Sequence, residues 1–261
     1  MGRAISRDGT PIVYGSTGAG PAVILVSGAL CTGAAEEDPL AAQLAAQGLT
    51  AISYDRRGRG GSGDTLPYAV AREVEDIAAL IERVGGNVAL HGTSSGGALA
   101  MEAAASGLPI TKVSAYEPPL TPDEEGVPAR RQQAARLREL LAADRRGDAV
   151  EYFVSGTGAP PGVIAELRKS PMWAGWEALA PTIAYDFEVL GDSLVPVDRL
   201  AAVSVPLLVI NGTESFDWMA EAAREIARAA PDGQHLMLEG QTHMADPEVL
   251  APVLAEFHVK G

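Results

Sequence analysis

The hydrophobic pattern alternates between short apolar runs and longer segments whose apolar residues recur every three or four positions. The runs are "AVILVSG", "TAISYD", "NVALHG", "KVSAYEPP", "VPLLVING" and "QHLMLEG". Runs of this length, rich in β-branched residues and ended by glycine, proline or a polar residue, predict strands. The periodic segments predict helices. We therefore expect an α/β fold with a mostly parallel sheet that helices cover on both faces.

The alternation is interrupted once, between "KVSAYEPP" and "VPLLVING". From about Leu120 to Leu200 the chain predicts only helices and loops, beginning with the amphipathic segment "ARRQQAARLRELLAAD". We expect an α/β core formed by residues 1–119 and 197–261, with a helical cap inserted at residues 120–196. At the amino end, "RAISRDGTPIVYG" predicts a hairpin that turns at Asp8 and Gly9.

Composition narrows the class of partner. The chain has 261 residues, 47% of them hydrophobic, and a formal net charge of −14. An acidic surface repels nucleic-acid phosphates and anionic membranes, so the expected partner is a small-molecule substrate. The start lacks the apolar core of a signal peptide, and no apolar run is long enough to span a membrane, so a cytoplasmic location is expected.

The stretch "HGTSSGG" places two serines between glycines directly after a predicted strand. Gly92 to Gly96 match the pattern G-x-S-x-G, which gains meaning from the strand before it and the helix after it. A sharp strand-to-helix turn strains the central Ser94, and the flanking glycines remove side chains that would collide. Ser94 would then project from the carboxyl end of the sheet, where open α/β sheets bind ligands. A glycine-serine turn without chemistry is the alternative, and the context favours a reactive serine.

A serine hydroxyl needs a base to take its proton, and the chain has four histidines. His91 lies on the strand before the turn, His235 within the last strand and His258 in the last helix, which are structural or surface positions. His243 lies in "EGQTHM", between a strand end and the final helix, where a loop can reach over the sheet. His243 is therefore the predicted general base.

Together these segments resemble the α/β-hydrolase fold superfamily over almost the whole chain. The matching segments, in the family's order, are "DGTPIVYGSTGAGPAVILVSGAL", "YDRRGRGGS", "HGTSSGG", "VPLLVINGTES" and "EGQTHM". The resemblance implies Ser94 as nucleophile and His243 as base. It also implies that the backbone N–H groups of Ala29 and Ser95 form an oxyanion hole. Where the family usually has His-Gly, this chain has Ser27 before glycine, which leaves the support of that loop open.

The acid that would orient the histidine is harder to identify from the sequence. Many α/β hydrolases carry an aspartate at the position that is Ser215 here, in "VINGTES". Glu214 and Asp217 are neighbouring substitutes. Glu117 ends the strand "KVSAYEPP", where some members of the superfamily, including a group of haloalkane dehalogenases, keep the acid. Because those members also lack the later aspartate, we predict Glu117, with Asp217 and then Glu214 as alternatives.

Other motifs carry less weight. The glycines from Gly58 to Gly63 match G-x-G-x-x-G, but no helix opens at the third glycine, so a structural loop is favoured over a dinucleotide site. Neither a metal site nor a cofactor is predicted. Cys31, the only cysteine, rules out an internal disulfide, and a buried thiol is expected there. In the predicted cap, large apolar residues could line a substrate site or pack the cap onto the core: Met172, Trp173, Trp176 and Phe187.

The sequence thus predicts a serine hydrolase that cleaves a small, largely apolar carboxylic ester or lactone through an acyl-enzyme intermediate. Perhydrolase, thioesterase or lyase chemistry on the same triad is an alternative. A relative that binds a small ligand without turnover is another, since the usual aspartate after "VINGT" is missing.

Overall fold

The computed structural model describes residues 1–33 and 38–259. The strands are β1 Gly2–Ile5, β2 Pro11–Gly18, β3 Ala22–Val26, β4 Thr50–Tyr54, β5 Val88–Thr93, β6 Ile110–Tyr116, β7 Leu207–Gly212 and β8 Gly233–Leu238. The helices are α1 Pro39–Ala46, α2 Val70–Val84, α3 Ser95–Ala105, α4 Val127–Ala142, α5 Arg146–Gly156, α6 Pro161–Leu167, α7 Pro171–Leu179, α8 Ile183–Leu190, α9 Val197–Leu200, α10 Asp217–Ala229 and α11 Pro247–Val259.

In the described part of the chain the strands form one sheet in the order β1-β2-β4-β3-β5-β6-β7-β8. The pairs β1 with β2 and β2 with β4 are antiparallel, and the remaining neighbours are parallel. The predicted α/β class with a mostly parallel sheet is confirmed. The amino-terminal hairpin is present too, since the Gly9 N–H donates to the Ser6 carbonyl at 2.9 Å.

Successive strand residues point to opposite faces of the sheet, and helices pack on both faces, so both sets of side chains are buried. On β5, Leu90 belongs to the core cluster that includes residues of α2, α3 and α10, whereas Ala89 belongs to the cluster on the other face, with residues of α1 and α11. The edge strand β8 differs, because most of its residues, among them Leu236 and Met237, are at least partly exposed. The continuous apolar runs of the central strands therefore reflect burial on two sides.

Helices α4 to α8 lie between β6 and β7 in the chain, and we call them the inserted helices. Their two ends are held together where Thr121 bridges to Leu194 and the Val195 N–H donates to the Thr121 carbonyl at 3.0 Å. Their apolar interior includes Leu30, from the loop after β3. The inserted helices therefore pack directly on the loop in which the resemblance places an oxyanion donor. No helix in the described ranges is long and apolar enough to cross a membrane.

Candidate active site

Ser94 occupies the turn between β5 and α3. Its backbone has φ 57° and ψ −129°, an unusual conformation for a non-glycine residue that costs roughly 1–3 kcal/mol. The Ser94 N–H donates to the Tyr116 carbonyl at 2.8 Å, which fixes the turn against β6. A side chain on Gly92 would collide with the Gly96 backbone, and one on Gly96 would collide with the Val26 carbonyl. The two glycines therefore permit the turn that presents the serine.

The Ser94 side chain is partly exposed and lies beside the loop after β3. A Cβ placed on Gly28 would be 3.0 Å from Ser94 Cβ and 3.6 Å from Ser94 Oγ. Within the described residues, no group accepts a hydrogen bond from the N–H of Ala29 or that of Ser95. Ser95 is the first residue of α3, where helical geometry leaves the N–H without an internal partner. The described structure therefore gives neither amide an internal partner, as the oxyanion role implied by the resemblance requires.

Glu117 and His243 form a hydrogen-bonded pair. Glu117 Oε2 lies 2.7 Å from His243 Nδ1, and Glu117 Oε1 accepts from the Gly212 N–H at 2.8 Å. The Glu117 side chain is fully buried, whereas 36% of the His243 side chain is exposed. The loop that carries His243 is held to β6 because the Tyr116 hydroxyl donates to the Thr242 carbonyl. One nitrogen of the imidazole is thus held by a buried carboxylate, while the ring keeps access to solvent.

The backbone of Glu117 is in the left-handed region, with φ 46°. Its N–H donates to the Ile210 carbonyl at 2.9 Å, so β7 holds the residue on its backbone as well as on its side chain. Burial raises the pKa of Glu117, but hydrogen bonds from His243 and the Gly212 N–H, together with the nearby Ser215 hydroxyl, outweigh burial and lower that pKa below its usual value. By distance and angle the Ser215 hydroxyl itself has no hydrogen-bond partner among the described residues, so it acts on Glu117 through its proximity. Glu117 is therefore an ionised acceptor facing the histidine.

The two alternative acids lie elsewhere. Glu214 and Asp217 are both exposed, and neither makes a hydrogen bond or ion pair with His243 in the described structure. Asp217 is the first residue of α10. Of the three carboxylates considered, Glu117 is the one that the fold brings to the imidazole.

Ser94 and His243 are not joined directly. Across the described residues no hydrogen bond connects the Ser94 hydroxyl to the imidazole, although both residues lie on turns that follow the carboxyl ends of parallel strands. Hydrogen bonds of this kind are often long in ligand-free structures and tighten when substrate binds. The arrangement holds an ionised carboxylate, an imidazole and a strained serine at one edge of the sheet.

The other residues singled out in the sequence differ in how far they are buried. Trp173 is buried in the interior of the inserted helices and its indole N–H donates to Glu177, while Met172 is half exposed and Trp176 is partly buried. Their predicted substrate contacts stay a prediction. The buried thiol expected at Cys31 is wrong, because Cys31 is exposed on the loop after β3.

Sequence reasoning missed a set of buried charged side chains beside this site. Arg56 and Arg59 lie in "YDRRGRGGS" and Asp186 lies on α8, and each is at most 2% exposed. The signal available in the sequence was an arginine pair directly after a buried strand, together with a single aspartate inside the apolar segment "IAYDFEVL". Pairing them requires the fold, because they are more than 120 residues apart.

A model of the alpha/beta hydrolase family matches residues 23–253. An alpha/beta hydrolase from Sphaerobacter thermophilus has a similar structure, with 47% identity, a TM-score of 0.87, and coverage of 98% of this chain and 99% of that chain. No curated protein sequence matches this chain.

Two more distant structures share the fold. A thermophilic esterase from Thermogutta terrifontis is 24% identical with a TM-score of 0.70, and covers 99% of this chain and 98% of its own. An enol-lactonase from Burkholderia xenovorans is 22% identical with a TM-score of 0.66, and the same shares of the two chains are covered. With the family model extending over most of its length, this chain belongs to the alpha/beta hydrolase family.

Proposed function

We propose that this protein is a serine hydrolase that cleaves a small, largely apolar carboxylic ester or lactone through an acyl-enzyme intermediate. The observation that carries the proposal is the buried Glu117 carboxylate bonded to Nδ1 of the partly exposed His243, at the sheet edge where the Ser94 turn lies. The names esterase and enol-lactonase, which belong to the two distant structures, are consistent with this substrate class.

In the proposed reaction His243 takes the proton of the Ser94 hydroxyl, and Ser94 Oγ attacks the carbonyl carbon. Glu117 holds the Nδ1–H of the imidazole and stabilises the imidazolium that forms. The N–H groups of Ala29 and Ser95 bind the oxyanion. His243 then protonates the leaving alkoxide, and in a second cycle it activates the water that releases the acid and restores Ser94.

Apolar side chains support an apolar substrate. Phe216 is 50% exposed and Met244 is 84% exposed, and they follow Ser215 and His243 in the chain. Met244 leaves apolar surface directly after the proposed base in the chain, and Phe216 leaves apolar surface on the loop after β7, where the acyl or alcohol part of a substrate could bury it. The predicted contacts of Met172, Trp173 and Trp176 with substrate belong to the same proposal.

The test uses 4-nitrophenyl esters of two to eight carbons, a set of aliphatic lactones, and a fluorophosphonate that labels reactive serines. The wild type should hydrolyse the shorter esters or the lactones and carry the label on Ser94, found by peptide mass spectrometry. Ser94→Ala should lose both, while Ser16→Ala, at an exposed serine on β2, should lose neither. The proposal fails if wild type and Ser94→Ala are equal on every substrate and Ser94 stays unlabelled.

A further inference from the structure

Four charged side chains are buried together beneath the Ser94 turn. They are Arg56, Glu73, Asp186 and Arg59, and none is more than 2% exposed. Glu73 binds Arg56 through two hydrogen bonds, of 2.6 and 2.7 Å, and Asp186 binds both arginines. Two positive and two negative charges cancel, which is what allows so much charge to remain buried.

Asp186 connects three segments of the chain. From α8 its carboxylate accepts from Arg56 Nη1 at 2.7 Å, from Arg59 Nη2 at 2.8 Å and from Ser95 Oγ at 2.7 Å. Burial raises the pKa of Asp186, but the charges of Arg59 and Arg56 and the Ser95 hydroxyl lower it below its usual value. An ionised carboxylate of the inserted helices thus ties the residue after the proposed nucleophile to the glycine-rich loop.

The arginines carry this connection to the loop after β3. Arg59 Nη1 donates to the Gly28 carbonyl, and Arg56 Nη1 donates to the Ser27 carbonyl at 3.2 Å. The Gly28 carbonyl and the Ala29 N–H belong to one planar peptide group, so fixing the first fixes the direction of the second. A cationic donor on that carbonyl also polarises the peptide and makes its N–H a stronger donor.

We infer that Asp186 is a positioning residue for the oxyanion hole. It holds Arg59, which orients and polarises the Gly28–Ala29 peptide, and it holds the Ser95 hydroxyl at the other donor. The inference rests on the proposed function and adds a requirement to it, namely that the inserted helices must be docked for the hole to be complete.

The same network accounts for Ser27, which stands where related proteins have histidine. The Ser27 hydroxyl is buried and has no hydrogen-bond partner among the described residues. The loop is supported instead by Arg56 and Arg59, which donate hydrogen bonds to the carbonyls of Ser27 and Gly28.

The experiment compares two buried arginine–carboxylate pairs of one loop. Arg59→Lys and Asp186→Asn change the network at the oxyanion loop. Arg57→Lys and Asp76→Asn are the matched controls, because Arg57 is equally buried and binds Asp76 at 2.7 and 2.8 Å but makes no hydrogen bond with residues 27–29 in the described structure. Each variant is measured for kcat and KM on a 4-nitrophenyl ester and for inhibition by a trifluoromethyl ketone, to which Ser94 adds to form a tetrahedral oxyanion.

We expect Arg59→Lys and Asp186→Asn to lower kcat by roughly 10- to 100-fold, with KM changed less than about threefold. The affinity for the trifluoromethyl ketone should fall by the same factor as kcat, because both report the oxyanion. Both controls should keep kcat and the ketone affinity within about threefold of wild type. This should hold even if their melting temperatures fall as much as those of Arg59→Lys and Asp186→Asn.

Two outcomes overturn the inference. One is wild-type kcat and ketone affinity in folded Arg59→Lys, and the other is an equal loss in the Arg57 and Asp76 controls. If Asp186→Asn does not fold, Ser95→Ala keeps the backbone amide, removes one bond to Asp186, and should show a smaller loss of the same kind. A wild type that equals Ser94→Ala on every substrate and that fluorophosphonate leaves unlabelled at Ser94 overturns the proposed function and with it this inference. A labelled, active wild type with unaffected variants overturns the inference alone.

Discussion

Two groups of polar side chains on or beside β6 contain histidine, and they differ in partner and in access. At the carboxyl edge, His243 is 36% exposed and faces the buried carboxylate of Glu117. Deeper in the fold, the Ser114 hydroxyl lies 2.9 Å from both His91 Nδ1 and His258 Nε2. We call these the edge pair and the deep histidines.

Burial lowers the pKa of each deep histidine to about 3, and no carboxylate of the described residues offsets it. The deep histidines are therefore neutral hydrogen-bonding groups at ordinary pH. At the edge pair the imidazole instead faces a carboxylate whose pKa is lowered below its usual value. Under the proposed function, the carboxylate partner and the exposure of His243 are what suit it, and not the deep histidines, to act as a base.

The largest expected effect is a difference in activity between a variant of the edge pair and a variant of the deep histidines. His243→Gln should lower kcat/KM for an ester by about 10⁴-fold or more, because it removes the proposed base. His258→Gln should leave kcat/KM within about threefold at pH 8, because that side chain never gains a proton there. Steady-state kinetics on both purified proteins check this, and an equal loss in a folded His258→Gln would remove the distinction.

Within the edge pair, Glu117→Gln should lower kcat by about 10²- to 10⁴-fold, since the amide keeps the shape but cannot stabilise the imidazolium. Glu214→Gln and Asp217→Asn serve as controls and should stay near wild type, because both carboxylates are exposed and do not touch His243. Full activity in Glu117→Gln, or a comparable loss in Asp217→Asn, would contradict the assignment of the acid.

The deep histidines should appear in the pH dependence of stability. Their folded pKa of about 3 lies below the usual 6.5, so the unfolded chain binds protons that the native protein does not between these values. Stability is then fully present above pH 6.5 and is lost as the pH falls toward 3. His258→Gln should reduce the loss between pH 7 and 5 by about 2 kcal/mol.

Urea denaturation at the two pH values measures this loss. His235→Gln is the control, because His235 is half-buried at the sheet edge and should have a smaller effect. The interpretation is wrong if His258→Gln retains the full wild-type loss of stability.

The smallest effect is a partial rescue. Ser215 stands where many relatives carry the acid, and its hydroxyl is close enough to Glu117 to lower the pKa of that carboxyl. Adding Ser215→Asp to Glu117→Gln should recover about tenfold in kcat, by returning a carboxylate to the neighbourhood of His243. In the wild-type background the same substitution should lower kcat, because two carboxylates then repel each other. Kinetics of the three variants decide this, and no recovery in the double variant would show that a carboxylate at position 215 cannot replace the one directly after β6.

The sequence by itself determined the sheet and the place of its turns. The apolar runs are long enough for strands and too regular for loops, and the spacing of helices between them leaves little but a parallel sheet. It also singled out Ser94 and His243, because a glycine-boxed serine after a strand and a histidine after the last strand are local features.

Only the tertiary structure decided which side chains meet. Glu117 and His243 are 126 residues apart, and Asp186 is 127 residues from Arg59. No periodicity in the chain encodes such pairs, because strand order and the docking of the inserted helices bring them together. The sequence does not show which of the three candidate carboxylates lies near His243. In the fold it is Glu117, because β7 holds its backbone and its carboxylate beside the histidine loop. The exposure of Cys31 is likewise a property of the folded loop, which composition does not carry.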